Sequence, residues 1–352
     1  MKIFMVIKRL RYSGAYKMFM WLANVLCDRG HEVTVMTFMP NDIQTLNPKI
    51  NWIKHDELEK KSIIKIIYIL RHEINRIKPD VSISFLLDAN VYNIFACIGL
   101  KTKSVISERN DPFKPGYRKL QFWKPWFRFA NGAVYQLPKV AEYYSIIKAP
   151  TAVIPNPVLC KDNIELDSFS KRPNLINVLG RLDIFQKRHD ILIEAFALFL
   201  KRYPSFTLVF YGDGPDKEKM VQQIRKLGIE NNVIFAGITN KPLEVMKTSK
   251  MYILTSDFEG IPNSLIEAMS IGLPCIATDC RPGGARLLID NEKNGFIVPQ
   301  GDADAIADKM KWFMQHPNEA DKMGLEGTKI KNTFSEEIIT NQWEDYLYKL
   351  VR

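Results

Sequence analysis

Cysteine and histidine are both scarce in this 352-residue chain, and that narrows the chemistry open to it. The five cysteines, at 27, 97, 160, 275 and 280, form no C-x-x-C pair and are odd in number. A disulfide framework or a structural zinc site is therefore not expected, and a reducing cytosol is the compartment that fits. The five histidines (31, 55, 72, 189 and 316) show no metal-ligand spacing. No Ser-His-Asp or Cys-His constellation can be argued from the order of residues. Long apolar runs are also lacking. Residues 3–7 are cut off by Lys8 and Arg9, too short for a signal-peptide core. Residues 81–100 alone approach membrane length, but Asp88, Asn90 and Asn93 interrupt them, so they read as a strand followed by an apolar helix. Acidic residues are short against basic ones, 39 to 49, for a net charge of +10. That balance favours an anionic partner: nucleic acid, a phosphorylated substrate or an acidic membrane surface.

What is present is apolar residue in quantity, 46% of a chain long enough for two ordinary cores. The first half alternates: strands at 3–7, 33–38, 81–85, 103–107, 132–135 and 151–154, with helices at about 14–29, 62–77 and 89–98. After Pro155-Asn-Pro157 the pattern breaks, then resumes with strands at 175–180, 206–211, 233–236, 251–255, 274–278 and 295–298. Helices are expected between them, followed by helices at 303–315 and 335–351. Alternation of this kind predicts parallel sheets covered on both faces. The expected fold is α/β, two Rossmann-like domains facing across a cleft. The boundaries are an N-terminal domain 1–157, a linker 158–173, a C-terminal domain 174–334 and a last helix 335–352.

The densest pattern is Glu259-Gly-Ile-Pro-Asn-Ser-Leu-Ile-Glu267, which follows the short apolar run 251–255. Gly260 and Pro262 make a turn, Pro262 and Asn263 suit first helical positions, and Gly272 with Pro274 stops the helix. A strand, a glycine-containing loop and a helix start present unpaired N–H groups and a positive dipole end, which suit phosphate. Glu259 and Glu267 can accept from hydroxyls, and phosphate with hydroxyls suggests a sugar nucleotide. Spacing alone leaves a second reading open, because Ser264 and Glu267 also have capping-box spacing and Glu259 could be a solvated loop acid. Gly180-Arg181 and Lys187 lie between the strand 175–180 and the next helix, where an Arg fork and a Lys point charge can offset charge on a departing diphosphate. The other reading is a solvated basic loop.

The two glutamates seven residues apart, with Gly-Leu-Pro-Cys-Ile-Ala-Thr-Asp279 after them, resemble the donor site of family 4 retaining glycosyltransferases, which have the GT-B fold. The likeness runs from about 174 to 311. It implies that Glu259 binds the transferred sugar, that Glu267 binds the ribose, and that the backbone from Gly260 through Ile261 and Ser264 to Leu265 binds sugar and phosphate. It gives Arg181 and Lys187 the diphosphate, Gly180 its turn, Gly14 a close approach to the donor phosphate, and the loop after Gly237 the nucleotide base. In the family the Gly14 loop usually holds a second glycine and a glutamate, where this chain has Ser13 and Tyr16. The resemblance implies no cofactor and no protein nucleophile, since the donor's own phosphate takes the acceptor proton. The expected donor is a nucleotide sugar, a UDP-linked hexose or N-acetylhexosamine. The expected acceptor is a lipid-diphosphate-linked glycan of surface-polysaccharide assembly. It also implies that the last helix packs back on the first domain. A sugar-nucleotide epimerase of the same architecture and a non-catalytic subunit of this fold are the alternatives.

Three further stretches bear on partners. Asp302-Ala-Asp304 spells a metal motif, but it follows Gly301 and opens a helix, where acids at the cap and first turn need no other explanation; no metal is expected. Glu108, Arg109 and Asn110 end the strand 103–107 and form the acceptor side, or else a local ion pair. Residues 113–129 interleave Lys114, Arg118, Lys119, Lys124 and Arg128 with seven aromatics and no acid. That composition suits an anionic membrane surface rather than nucleic acid, with the protein peripheral on the inner face of the cytoplasmic membrane. The basic, apolar stretch 60–71 is expected instead to be a core-facing helix with solvated lysines.

Overall fold

The computed structural model describes residues 1–10, 14–41, 46–109, 111–114, 118–160 and 164–352. The chain divides into two compact units, Met1–Asn156 with Glu336–Arg352, and Pro157–Ser335.

The first unit contains β1 (Lys2–Ile7), α1 (Gly14–Asp28), β2 (Glu32–Thr37), β3 (Asn51–Lys54), α2 (Ile63–Ile77) and β4 (Val81–Phe85). It continues with α3 (Leu87–Cys97), β5 (Lys103–Glu108), α4 (Arg118–Trp123), β6 (Gly132–Tyr135), α5 (Pro138–Tyr143) and β7 (Thr151–Val153). Its seven strands are parallel, in the order β3-β2-β1-β4-β5-β6-β7. The central strands are almost entirely buried, as two-sided coverage of a parallel sheet demands. Under the sheet, Asn93 accepts from Ser82 Oγ at 2.5 Å and donates to the Ser82 carbonyl at 2.8 Å. This satisfies polar groups that burial would otherwise penalise.

The second unit contains β8 (Leu175–Leu179), α6 (Ile184–Lys187), α7 (His189–Leu200), β9 (Thr207–Tyr211), α8 (Lys217–Leu227), β10 (Val233–Gly237), α9 (Pro242–Met246) and β11 (Tyr252–Leu254). After these come α10 (Asn263–Ser270), β12 (Cys275–Thr278), α11 (Gly284–Leu288), β13 (Phe296–Val298), α12 (Ala303–Gln315), α13 (Pro317–Gly327) and α14 (Ile330–Thr333). Two three-stranded parallel sheets, β10-β9-β8 and β11-β12-β13, meet at β8 and β11. There the Lys250 N–H donates to the Leu175 carbonyl at 2.7 Å, and the Asn177 N–H donates to Ser249 Oγ at 3.0 Å. The strand order therefore reverses between β8 and β11, and the carboxyl ends flanking that reversal are where an open α/β sheet binds ligands.

The expected linker 158–173 is, where described, part of the second unit. Val158 donates to the Phe334 carbonyl at 2.7 Å, the Phe169 side chain is fully buried, and Arg172 pairs with Asp321 at 2.8 Å. Its anchor lies about 150 residues away, which no local pattern reveals. The last helix, α15 (Glu336–Val351), lies in the first unit: Trp343 stacks on Phe85, Tyr346 donates to the Pro150 carbonyl, and His31 pairs with Glu344.

Candidate functional site

Gly180 ends the β8 segment at a φ of +154°, a backbone that favours glycine. The chain then runs into α6, capped by Asp183, whose carboxylate accepts from the Gln186 N–H at 3.1 Å. One short turn later comes Lys187, and then Arg188 at a φ of +49°. Arg188 is fixed from two sides, reaching Asp190 and, at 3.0 Å, Asp257 in the loop after β11. The two carboxylates hold its guanidinium charged. The two loops are laced further: Thr255 Oγ1 donates to the Lys187 carbonyl at 2.7 Å, and Gln186 donates to the Phe258 carbonyl at 3.1 Å.

That lacing brings Lys187 to Glu259. The ammonium donates to Glu259 Oε1 at 2.5 Å, the same oxygen accepts from Ser256 Oγ at 2.9 Å, and both side chains are largely shielded, at 20% and 12% exposed. Glu259 is braced through its backbone as well, its N–H donating to the Arg281 carbonyl at 2.7 Å. Arg181 does not join the pair through any direct contact described: its side chain is 67% exposed and lies 3.9 Å from Asp183. His189 holds its backbone. The Arg181 carbonyl can only accept, so the His189 Nε2 at 3.1 Å is the protonated nitrogen. Burial pushes this imidazole down to about 4, keeping it neutral at pH 7.

After Glu259, Gly260 and Ile261 lead into α10, in whose first turn the Leu265 N–H donates to the Pro262 carbonyl at 3.1 Å. Ile261 and Leu265 are buried. The capping box is not formed: Pro262 occupies the cap, and Ser264, two positions past it, accepts from Tyr252 Oη at 2.7 Å. Glu267 lies within the helix, partly buried. The buried Tyr252 phenol is pushed far above its ordinary range, so it acts as a neutral donor.

Two glycines outside the motif spacing set this geometry. A Cβ on Gly212 would overlap the Gly180 carbonyl, and one on Gly284 would overlap the Gly260 carbonyl. Each site loop is thus pressed against a glycine from the loop of the neighbouring strand. Gly237, at a φ of +78°, closes β10, and its carbonyl accepts from the Gly212 N–H at 2.8 Å.

Asp302 is an N-cap: it accepts from the Ala305 N–H at 2.8 Å at the start of α12. Asp302→Ala is expected to cost about 1 kcal/mol of stability and to leave the turnover of the folded protein unchanged; chemical denaturation beside an activity assay checks both. Among the described residues no group of three or more His, Cys, Asp or Glu could hold a metal ion.

In the first unit, Gly14 is the exposed first residue of α1. Glu108 is buried at the end of β5. Arg109 is buried too, its guanidinium 4.5 Å from the Phe85 ring centre and donating to Asn156 at 3.1 Å. Desolvation pulls its pKa down to about 9. The expected acceptor-side arginine is therefore an interior group that ties β5 to Phe85 and Trp343. Asn110 lies outside the described residues. A polar pair with no signature in the order of residues spans this sheet's own reversal point: Lys8, after β1, lies 3.4 Å from Asp88, after β4, and Lys119 closes on the same carboxylate. Leu86, beside it, has a φ of +72°, which is strained for a branched side chain.

Parts of the chain, and its fold, resemble known proteins. Residues 162–330 match the family model described as glycosyl transferases group 1. Over 90% of both chains, the protein is 29% identical to a Campylobacter jejuni enzyme. That enzyme is named GalNAc-alpha-(1->4)-GalNAc-alpha-(1->3)-diNAcBac-PP-undecaprenol alpha-1,4-N-acetyl-D-galactosaminyltransferase. In structure it is similar to the lipopolysaccharide outer core galactosyltransferase WaaB in its apo form, with a TM-score of 0.77, 21% identity and 99% of each chain covered. It is also similar to Anabaena Alr3699/HepE in complex with UDP, with a TM-score of 0.78, 19% identity, and 99% of this chain and 100% of that one covered. The fold is GT-B. Among the described residues no helix is long and apolar enough to cross a membrane.

Proposed function

We propose that this protein is a group 1 type glycosyltransferase that moves a sugar from a nucleoside diphosphate sugar to a hydroxyl of a lipid-diphosphate-linked glycan, with retention of configuration. The observation that carries the reading is the shielded Lys187–Glu259 pair beside the start of α10, where the strand order of the second unit reverses between β8 and β11. Glu259 accepts from the hydroxyls of the transferred sugar, Glu267 takes the ribose, and the backbone from Gly260 to Leu265 receives sugar and phosphate. Lys187 has three N–H donors, of which Glu259 uses one, leaving two for phosphate oxygens. With Arg181 it offsets the charge that grows on the departing diphosphate. UDP is the favoured nucleotide because HepE, similar in structure, forms a complex with it, and a lipid-diphosphate acceptor is favoured by the name of the Campylobacter relative. Residues 113–129 then meet an anionic membrane on its inner, cytoplasmic face, and the setting is surface-polysaccharide assembly.

The positive charge that a divalent ion would contribute is assigned to Lys187 and Arg181, so the enzyme is proposed to work without metal. Nucleotide release from a panel of sugar nucleotides in excess chelator is expected for at least one donor. Lys187→Ala is expected to harm it far more than Asp304→Ala. Release that needs manganese or magnesium would contradict the metal-free reading, and an isomerised donor would contradict transfer itself.

A further inference from the structure

Helix α2 is amphipathic in an unexpected direction. It buries Ile66, Leu70 and Ile74, four residues apart, as a helix on a sheet should. It then shows a second apolar set to solvent: Ile64 is 80% exposed, Tyr68 70% and Ile63 38%. Lys60, Lys61 and Lys65 stand exposed around them, and no acid lies between 60 and 72. The helix thus faces the core with its lysines in solvent, as expected, and shows solvent an apolar set besides.

The strand order shows what else shares this surface. The steps β3→β4, β4→β5 and β5→β6 all run the same way along the sheet, so right-handed crossovers place α2, α3 and α4 on one face. The step β1→β2 runs the other way and sends α1 to the opposite face. α2 packs on α3, with Arg71 donating to the Ala96 and Ile98 carbonyls at 3.0 and 2.6 Å. From α3, Phe95 reaches Trp126 at 5.3 Å in the turn after α4. The outer side of that layer also exposes Ile98, Phe122, Trp126 and Phe129, beside exposed Arg118, Lys119 and Arg128.

We infer that α2 is a second membrane-contacting element, and that the α2–α3–α4 layer as a whole lies against an anionic bilayer. The inference rests on the proposed membrane contact of 113–129 and extends it to a helix some fifty residues earlier in the chain. Charge decides the occupant: exposed isoleucine, tyrosine and tryptophan ringed by lysine and arginine match the apolar depth and the negative surface of such a leaflet. A protein partner of this surface would need an acidic rim around an apolar centre. A second copy of this chain offers the same cations and would repel.

Flotation with phosphatidylcholine vesicles, with and without phosphatidylglycerol, tests this on the full chain. The wild type is expected to float with the anionic vesicles. Ile64→Gln/Tyr68→Gln is expected to weaken binding at least tenfold, and Lys60→Gln/Lys61→Gln/Lys65→Gln by about fivefold per cation at low salt. Both variants should release nucleotide from the sugar-nucleotide donor at the wild-type rate, which shows that they are folded. Wild-type flotation by both α2 variants would overturn the inference. If Trp126→Gln/Phe129→Gln alone loses binding, 113–129 stands as the contact and α2 does not. A wild type indifferent to anionic lipid overturns both contacts. A dimer in solution that Ile64→Gln/Tyr68→Gln converts to monomer, with flotation unchanged, overturns the α2 inference in favour of a second copy. Failure of every donor to release nucleotide bears on the proposed reaction and leaves the flotation result readable by itself.

Discussion

Replacing Glu259 with alanine is expected to lower kcat/KM for the donor about 10²–10³-fold, equivalent to about 2.7–4 kcal/mol of transition-state stabilisation. Two effects act together. The sugar loses the carboxylate that accepts from its hydroxyls, and the Lys187 ammonium, 20% exposed, loses the partner that fixes it. A charged hydrogen bond in a shielded site is worth more than a neutral one, and leaving its partner behind adds to the loss. Glu259→Gln keeps the shape and the acceptor oxygen but not the charge, so it should fall between alanine and wild type. Lys187→Ala should resemble Glu259→Ala, and the double variant should be much less harmful than the sum, because the two side chains act as one unit. Steady-state kinetics on folded variants, with melting temperatures within a few degrees of wild type, makes the comparison. Full activity in Glu259→Ala would remove the residue from the site.

The second large effect is on stability. Gly284→Ala is expected to destabilise the second unit by about 3 kcal/mol or more, because the new methyl group would occupy the volume of the Gly260 carbonyl and no side chain can swing aside. A unit of this size should lose about 6–12 °C in melting temperature. Gly212→Ala meets the Gly180 carbonyl in the same way, at a φ of +153° that alanine also resists. It should be at least as harmful. By contrast, a Cβ on Gly301 meets nothing within 4 Å, so only its φ of +73° opposes Gly301→Ala, for about 1 kcal/mol. Thermal melts of the three variants rank them. An unchanged melting temperature for Gly284→Ala would mean that the loops are not pressed together as described.

The parallel sheets were legible because their strands are buried on both faces and so appear as continuous apolar runs, such as residues 3–7 and 208–210. β3, with its half-exposed Trp52 and Ile53, has no such run and was missed. The short helices α6 and α11 were missed as well, since four or five residues carry no period. At the candidate site, residue types and spacing pointed to Lys187 and Glu259, but not to their pairing, which depends on Arg188 and Thr255 lacing two loops about seventy residues apart. The capping box failed for a local reason: Pro262 took the cap and moved Ser264 into the helix. The interior position of Arg109 was not legible, because nothing in the order of residues marks a strand-end cation as buried. Its burial depends on Phe85 and on Trp343, which the last helix brings from the far end of the chain.

Hydrogen–deuterium exchange with and without a saturating UDP-sugar tests the placement of the donor most directly. Protection is expected to concentrate in 180–188 and 258–267, where the amides of the glycine turn and the start of α10 receive the diphosphate and sugar, and it should be lost in Lys187→Ala. Protection confined to the first unit, or absent from 258–267, would contradict the donor site proposed here.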